Sequence, residues 1–179
     1  MPHRAPLSRH ARLAAALLVL SAPVAGTALA QSVPCAQDPA FHQQDFALGA
    51  WDVFNAGTKT AEVRLDPALN GCAIHETWTA LSGKGNGIGL FTFSRVLKAW
   101  TYAWASDTGS ATLFTGDATG ERGMLYKTQR PTASGGTRLR QWTLIEQPDH
   151  SIRELSAGSE DAGKTWTTEY ELIWKKRGA

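Results

Sequence analysis

The sequence predicts an all-β protein: a single antiparallel up-and-down barrel of about ten strands, preceded by a short N-terminal helix. Three observations support this prediction. Apolar and polar residues alternate in short segments, turn residues separate the segments at roughly 8–12-residue intervals, and one segment after residue 30 has the pattern of a helix. Consecutive hairpins favour a closed barrel over an open sheet, because closure leaves no edge strand exposed.

The predicted helix lies between Asp38 and Gly49. Asp38 precedes Pro39, and Gly49 ends the segment. An Asp before a Pro and a closing Gly are typical of a helix that is capped at both ends.

The strands follow this helix. Residues 60–65 and 165–175 alternate most clearly, since apolar or aromatic residues occupy nearly every second position. A period of two places one face of a strand in the core and the other in water. The other predicted strands are 50–55, 72–80, 87–94, 97–106, 110–115, 123–128, 138–146 and 151–156.

Residues 1–30 have the pattern of a secretory signal peptide. They contain three arginines, an apolar run and the small-residue triplet Ala28-Leu29-Ala30. The apolar run is shorter than the ~20 residues that a membrane-spanning helix needs. We therefore expect cleavage after Ala30 and a periplasmic or secreted barrel domain over residues 31–179, with no membrane attachment.

The charge of the expected mature chain argues against a nucleic-acid partner. The full sequence has 18 Lys and Arg and 16 Asp and Glu, a net charge of +2. Arg4, Arg9 and Arg12 precede the cleavage site and no acidic residue does, so residues 31–179 carry 15 basic and 16 acidic residues. This chain has no excess of positive charge for binding phosphates, and its sequence leaves the oligomeric state open.

Cys35 and Cys72 are the two cysteines of the sequence. Export to an oxidising compartment favours a disulfide between them, which in the chain-entropy model would contribute about 4 kcal/mol. A reactive thiol or a metal ligand is the alternative, but the sequence has no C-x-x-C motif and no nearby pair of histidines to support it.

Four segments recur in a fixed order in one protein family. Here they are residues 45–53 (DFALGAWDV), residues 71–78 (GCAIHETW), Trp100 with Trp104, and residues 159–166 (SEDAGKTW). Together they resemble a widespread family of uncharacterised secreted bacterial proteins. The resemblance implies a calycin-like barrel, similar to lipocalins, fatty-acid-binding proteins and nitrobindins, and it implies no known activity. The polar and aromatic residues that carry over are Glu76, Trp78, Trp100, Trp104 and Arg153.

Glu76 is the most informative of these residues. It shares a predicted strand face with Ile74 and Trp78, so its carboxyl should be buried. A buried carboxylate is costly unless it is paired. We leave two roles open: an ion pair with an inward arginine, such as Arg140 or Arg153, or contact with a ligand, including proton transfer.

An aromatic stripe is the second candidate feature. Trp100, Tyr102 and Trp104 share one face of strand 97–106, and Tyr102 stands where the resembling family has a glutamine. Such a stripe is usually core, but in a barrel it can line a cavity and hold a flat or apolar ligand. The predicted ligand-binding residues are Glu76, Trp78, Trp100, Tyr102, Trp104 and Arg153.

Two glycine-containing motifs have structural interpretations. Gly83, Gly85, Gly87 and Gly89 occupy every second position. They form either a bare strand face near the barrel mouth or, as we prefer, a loop leading into the strand that starts at residue 87. Residues 159–166 match an Asp-box, which we interpret as a turn device rather than a catalytic motif.

The sequence favours a binding module for an apolar or aromatic small molecule, with no cofactor or metal. No catalytic motif is present, and His42, His75 and His150 are scattered. Three alternatives stay open: an enzyme that uses Glu76 as an acid or base, a nitrobindin-like haem protein, and a barrel whose interior is full.

Overall fold

The computed structural model describes Met1 and residues 33–178. The signal peptide predicted for residues 1–30 lies outside the described residues, apart from Met1. Among the residues that are described, no helix is long and apolar enough to cross a membrane.

Ten antiparallel strands close into a barrel and confirm the predicted fold class. Each strand pairs with its neighbours along the chain, and the first strand pairs with the last. The strands are β1 (Gly49–Asn55), β2 (Thr58–Ala68), β3 (Ala73–Ala80), β4 (Gly87–Ser94), β5 (Ala99–Ser106), β6 (Ala111–Ala118), β7 (Gly123–Pro131), β8 (Thr137–Glu146), β9 (Ile152–Ser159) and β10 (Thr167–Lys176).

The helical segment predicted after Asp38 takes the form of tight turns. Three 3-10 turns precede β1, at Cys35–Gln37, Pro39–Phe41 and Asp45–Ala47. Asp38 caps the second of them by accepting a hydrogen bond from the backbone N–H of Ala40. A continuous helix does not form because His42 and Gln44 have φ near −105° and ψ near 0°, outside the helical range.

This N-terminal segment, residues 35–47, covers one end of the barrel. The ring of Phe41 packs edge-on against Phe93 of β4 at 5.4 Å between centroids. The indole N–H of Trp100 donates to Gln43 Oε1 at 2.9 Å, and the hydroxyl of Tyr126 donates to Gln44 Oε1. We call this end of the barrel the covered end.

The predicted disulfide is present. Cys35 and Cys72 are bonded at an S–S distance of 2.05 Å. The bond ties the start of the N-terminal segment to the residue that precedes β3, so it holds the segment against the covered end.

An aromatic cluster fills the middle of the barrel. Phe91 and Tyr102 stack with 4.0 Å between centroids, Tyr102 lies 5.0 Å from Trp142, and Trp142 lies 5.2 Å from Tyr126. Each such pair contributes about 0.5–1.5 kcal/mol beyond the area it buries. The cluster lies between the covered end and the opposite end of the barrel, which we call the open end.

The Asp-box forms the hairpin between β9 and β10 at the open end. Asp161 accepts hydrogen bonds from Ser159 Oγ, Thr165 N and Thr165 Oγ1 at 2.6–2.9 Å, and these bonds lower the pKa of Asp161 to about 2. Gly163 has a φ of +86°, and the indole of Trp166 donates to its carbonyl. The Asp-box therefore stabilises a turn in this protein.

Candidate ligand-binding site

A pocket of about 300 Å³ lies in the open half of the barrel. Its walls come from β3, β5, β6, β8, β9 and β10, near the ends of these strands that face away from the N-terminal segment. The lining residues are Glu76, Trp78, Tyr102, Trp104, Ser110, Thr112, Phe114, Arg140, Trp142, Glu154, Tyr170 and Leu172.

Two glycines on β4 make room for side chains that line this pocket. A Cβ on Gly87 would lie 2.2 Å from the ring of Trp104. A Cβ on Gly89 would lie 2.4 Å from Glu76 Oε2 and 2.5 Å from the ring of Tyr102. Side chains are therefore excluded at both positions by neighbours on β3 and β5.

The glycine row of the sequence divides into two parts. Gly83 and Gly85 lie in the turn before β4 and have φ values of +72° and +84°, where glycine is favoured. Gly87 and Gly89 belong to β4 itself. The interpretation as a loop thus fits the first two glycines, and the bare strand face describes the last two.

Glu76 lies at the base of the pocket. Its side chain is buried, with 2% of the residue exposed, and Oε2 accepts a hydrogen bond of 2.6 Å from the hydroxyl of Tyr102. Burial raises the pKa of the Glu76 carboxyl to about 8, with the Tyr102 hydrogen bond opposing this shift and the nearby Glu154 adding to it. The carboxyl is therefore largely protonated at neutral pH in the free protein.

The ion pair that we considered for Glu76 does not form. Arg140 pairs with Glu169 at 2.6 Å, and Arg153 pairs with Glu171 at 2.7 Å. Neither guanidinium reaches Glu76, so the hydroxyl of Tyr102 is its hydrogen-bond partner.

Glu154 is a second buried carboxyl in the pocket wall, with 4% of the residue exposed. Its two oxygens accept hydrogen bonds from the indole N–H groups of Trp142 at 2.7 Å and Trp174 at 2.8 Å. Burial raises the pKa of Glu154, and these indole donors, the hydroxyl of Tyr170 and the positive charge of Arg140 oppose the shift. All of the hydrogen-bond donors are uncharged.

Charged groups near the mouth of the pocket are matched with one another. Arg140 pairs with Glu169, donates to Ser156 Oγ at 2.8 Å, and lies over the ring of Tyr170 at 5.5 Å. Arg138 pairs with Glu169 and Glu160. The positive charges at the mouth therefore already have carboxylate partners.

The structure brings together four of the six residues predicted for the site. Glu76, Trp78, Tyr102 and Trp104 line the pocket. Trp100 is on the same face of β5 but lies at the covered end, because β5 runs from the covered end towards the mouth.

Arg153 also lies outside the pocket. Ile152 and Glu154 take the inner positions of β9, so Arg153 projects to the outer face, where it meets Glu171. Its placement corrects the prediction that it lines the cavity.

The sequence did not identify the other lining residues. Glu154 has a weak signal, since it alternates with Ile152, but the apolar Leu155 on the opposite side made the facing of β9 ambiguous. Arg140 was considered only as a partner of Glu76. The remaining lining residues that sequence reasoning missed are Ser110, Thr112, Phe114, Trp142, Tyr170 and Leu172.

No histidine among the described residues lines the pocket. His42 contacts Asp45, His150 contacts Glu146, and His75 is exposed on the outer face of β3. Within residues 33–178, no group of three His, Cys, Asp or Glu side chains is placed to hold a metal ion. The placement of these histidines gives no support to the haem alternative.

No protein-family model matches the chain, and no curated protein sequence matches it. The closed barrel agrees with the calycin-like architecture that the motif resemblance implies, while no match supports membership of the resembling family.

Proposed function

We propose that the protein binds a small organic molecule with aromatic or apolar surface in the pocket of its open half. The observation that carries this proposal is the pocket itself. Six aromatic side chains surround a space of about 300 Å³, at the lower end of the roughly 300–1,000 Å³ typical of ligand pockets. A cavity of this size suits a compact ligand.

The balance of polar and apolar groups supports this role. Trp78, Trp104 and Leu172 present apolar surface to the pocket, whereas Glu76 and Glu154 supply convergent polar groups at its base. A mostly aromatic wall with a few placed polar groups is typical of sites that bind small molecules. The same rings would bury more apolar surface on binding, which is favourable.

We also propose that the barrel acts outside the cytoplasm, as a periplasmic or secreted domain of residues 31–179. The disulfide between Cys35 and Cys72 supports this location, because such bonds persist in oxidising compartments. Sequencing of the mature N-terminus tests it: the chain should begin at Gln31, and retention of residues 1–30 would contradict the proposal.

Titration with p-cresol, a small neutral aromatic compound, tests the binding role. We expect saturable binding by calorimetry together with a change in tryptophan emission, because Trp78, Trp104 and Trp142 line the pocket. Absence of saturable binding, with no change in emission, would contradict a pocket for aromatic ligands.

A matched pair of variants on β6 locates the binding. Thr112 faces the pocket, so Thr112→Phe should fill it and weaken binding at least about tenfold, a cost of roughly 1.4 kcal/mol. Thr115 lies on the exposed outer face of the same strand, so Thr115→Phe should bind p-cresol as the original protein does. Equal affinity in the two variants would place the binding outside the pocket.

A further inference from the structure

We infer that the natural ligand of this pocket is an organic cation, such as an amine or quaternary ammonium compound, held between the aromatic walls and the carboxyls of Glu76 and Glu154. This inference rests on the binding role proposed above and specifies its ligand class. Within residues 33–178, neither carboxyl forms an ion pair, although both are almost fully buried.

The hydrogen bonds of the two carboxyls supply no positive charge. Glu76 accepts from the phenol of Tyr102, and Glu154 accepts from the indoles of Trp142 and Trp174. A buried carboxylate without a cation is strongly disfavoured. Burial therefore favours the protonated form of Glu76 in the free protein and raises the pKa of Glu154 against the opposing charge of Arg140. A cationic ligand would supply the counter-charge that Glu76 lacks.

The aromatic walls suit the same kind of ligand. The faces of tryptophan and tyrosine rings carry negative electrostatic potential and attract ammonium and guanidinium groups, with tryptophan the strongest. Trp78, Trp104 and Trp142 all line the pocket. The mouth already contains one such contact, since the guanidinium of Arg140 lies 5.5 Å from the centre of the Tyr170 ring.

The charge balance around the carboxyls points in the same direction. The charged side chain that lines the pocket near them is Arg140 of β8. It pairs with Glu169 of β10 at 2.6 Å, and its positive charge also acts to lower the pKa of Glu154. The remaining titratable groups are tyrosines, and burial raises the pKa of Tyr102, Tyr126 and Tyr170, so they stay uncharged. The base of the pocket thus has two acidic groups and no unmatched base among the described residues.

A neutral ligand would use the same carboxyls in a different way, and pH separates the two cases. A cation is held by the ionised carboxylate, so its affinity should increase as the pH rises towards the pKa of Glu76, which is about 8. A neutral hydrogen-bond acceptor is held by the protonated acid, so its affinity should decrease over the same range. The sign of the pH dependence therefore identifies the ligand class.

A pair of probes with the same shape and different charge provides the test. Phenyltrimethylammonium is permanently positive and does not titrate, and tert-butylbenzene is its uncharged counterpart. We expect the cation to bind at least about tenfold more tightly at mildly alkaline pH. Calorimetry in buffers of different ionisation enthalpy should show that its binding releases a proton.

Variants of the two carboxyls assign the preference to the pocket. Glu76→Gln should bring the ratio of phenyltrimethylammonium affinity to tert-butylbenzene affinity close to one, and it should abolish the proton release that accompanies binding of the cation. Glutamine resembles the protonated acid and can still accept from Tyr102, so this variant should fold. Glu154→Gln should weaken the preference as well, and if it does not fold, Glu76→Gln decides the question alone. The control is Glu171→Gln on the outer face of β10, which should retain both properties.

The outcomes separate this inference from the proposed function. Equal binding of the two probes, or tighter binding of tert-butylbenzene, overturns the inference of a cation and leaves the binding role intact. A cation preference that survives Glu76→Gln overturns the assignment to these carboxyls. Failure of p-cresol and of both probes to bind overturns the proposed function itself.

Discussion

The covered and open ends of the barrel are built from the same ten alternating strands, yet one is packed and the other holds a pocket. At the covered end the N-terminal segment closes the barrel over Phe93, Trp100 and Tyr126. At the open end only short hairpins connect the strands. The backbone pattern is common to both ends, so the difference comes from the sizes of the inward side chains and from the added segment.

Strand β4 shows this difference within eight residues. Its inward positions are Gly87 and Gly89 towards the mouth, then Phe91 and Phe93 towards the covered end. The phenylalanines contribute rings to the core, whereas the glycines leave space that Trp104 and the pair of Glu76 and Tyr102 enter. A single strand thus forms core at one end and pocket floor at the other.

The largest expected effect comes from truncating the two tryptophans of β5, Trp100 and Trp104. Trp100 is 1% exposed and donates to Gln43, so Trp100→Ala should lower the free energy of unfolding by about 4–5 kcal/mol through cavity formation and the lost bond. Trp104 is half-buried at the mouth, and Trp104→Ala should cost about 1–2 kcal/mol but weaken ligand binding. Denaturant unfolding of both variants measures the difference; equal losses would contradict the division into two ends.

Removal of the disulfide should act on the covered end. The double variant Cys35→Ala with Cys72→Ala should lower the free energy of unfolding by about 4 kcal/mol, because the unfolded chain regains the freedom of a long loop. Amide exchange should increase in the N-terminal segment and around Trp100. Ligand affinity measured on the folded variant should stay unchanged, and a large loss of affinity would show that the two ends are coupled.

Stability should depend on pH through Glu76. Its pKa is raised from the ordinary 4.5 to about 8 in the folded protein, so the folded state holds the proton more tightly than the unfolded chain. This contribution is complete below pH 4.5 and is lost as the pH rises to about 8. We expect a loss of several kcal/mol over this range, since each unit of pKa shift corresponds to about 1.4 kcal/mol.

Comparison with Glu76→Gln isolates this effect from other titrations. The variant cannot ionise at this position, so the difference in unfolding free energy between the two proteins should change with pH and favour the variant at the alkaline end. A constant difference across the range would show that Glu76 has an ordinary pKa and is hydrated.

The alternation of the sequence was sufficient to predict the strands, the barrel and the burial of Glu76, because these depend on local period and turn residues. The position of a residue along the barrel axis, between the covered end and the open end, could not be predicted from this alternation. Trp100 and Trp104 have the same facing, and only the position of the N-terminal segment places one in the core and the other in the pocket.

The sequence alone does not decide which residues of β9 face the interior of the barrel. In the run Ile152-Arg153-Glu154-Leu155, each face would receive one apolar and one charged residue. The structure places Ile152 and Glu154 inside, where the indoles of Trp142 and Trp174 satisfy the carboxyl. Those donors come from other strands, so a local pattern could not reveal that a glutamate would be accommodated and an arginine excluded.

Gly89→Ala at the pocket floor should lower stability less than Trp100→Ala, removal of the disulfide or ionisation of Glu76. The added methyl group would lie 2.4 Å from Glu76 Oε2 and 2.5 Å from the ring of Tyr102, so the hydrogen bond between these residues must shift. We expect a loss of about 2 kcal/mol from overpacking, together with weaker ligand binding because the floor rises into the pocket. Gly136→Ala is the matched control, since its methyl group would meet one side-chain atom, Thr132 Oγ1, at 3.2 Å, and Gly136 lies in a surface turn far from Glu76 and Tyr102 in the sequence. It should lower stability less than Gly89→Ala and leave p-cresol affinity unchanged. Unfolding and p-cresol titrations of the two variants decide the matter: if Gly89→Ala behaves like its control, the absence of a side chain at this position is not what shapes the open end.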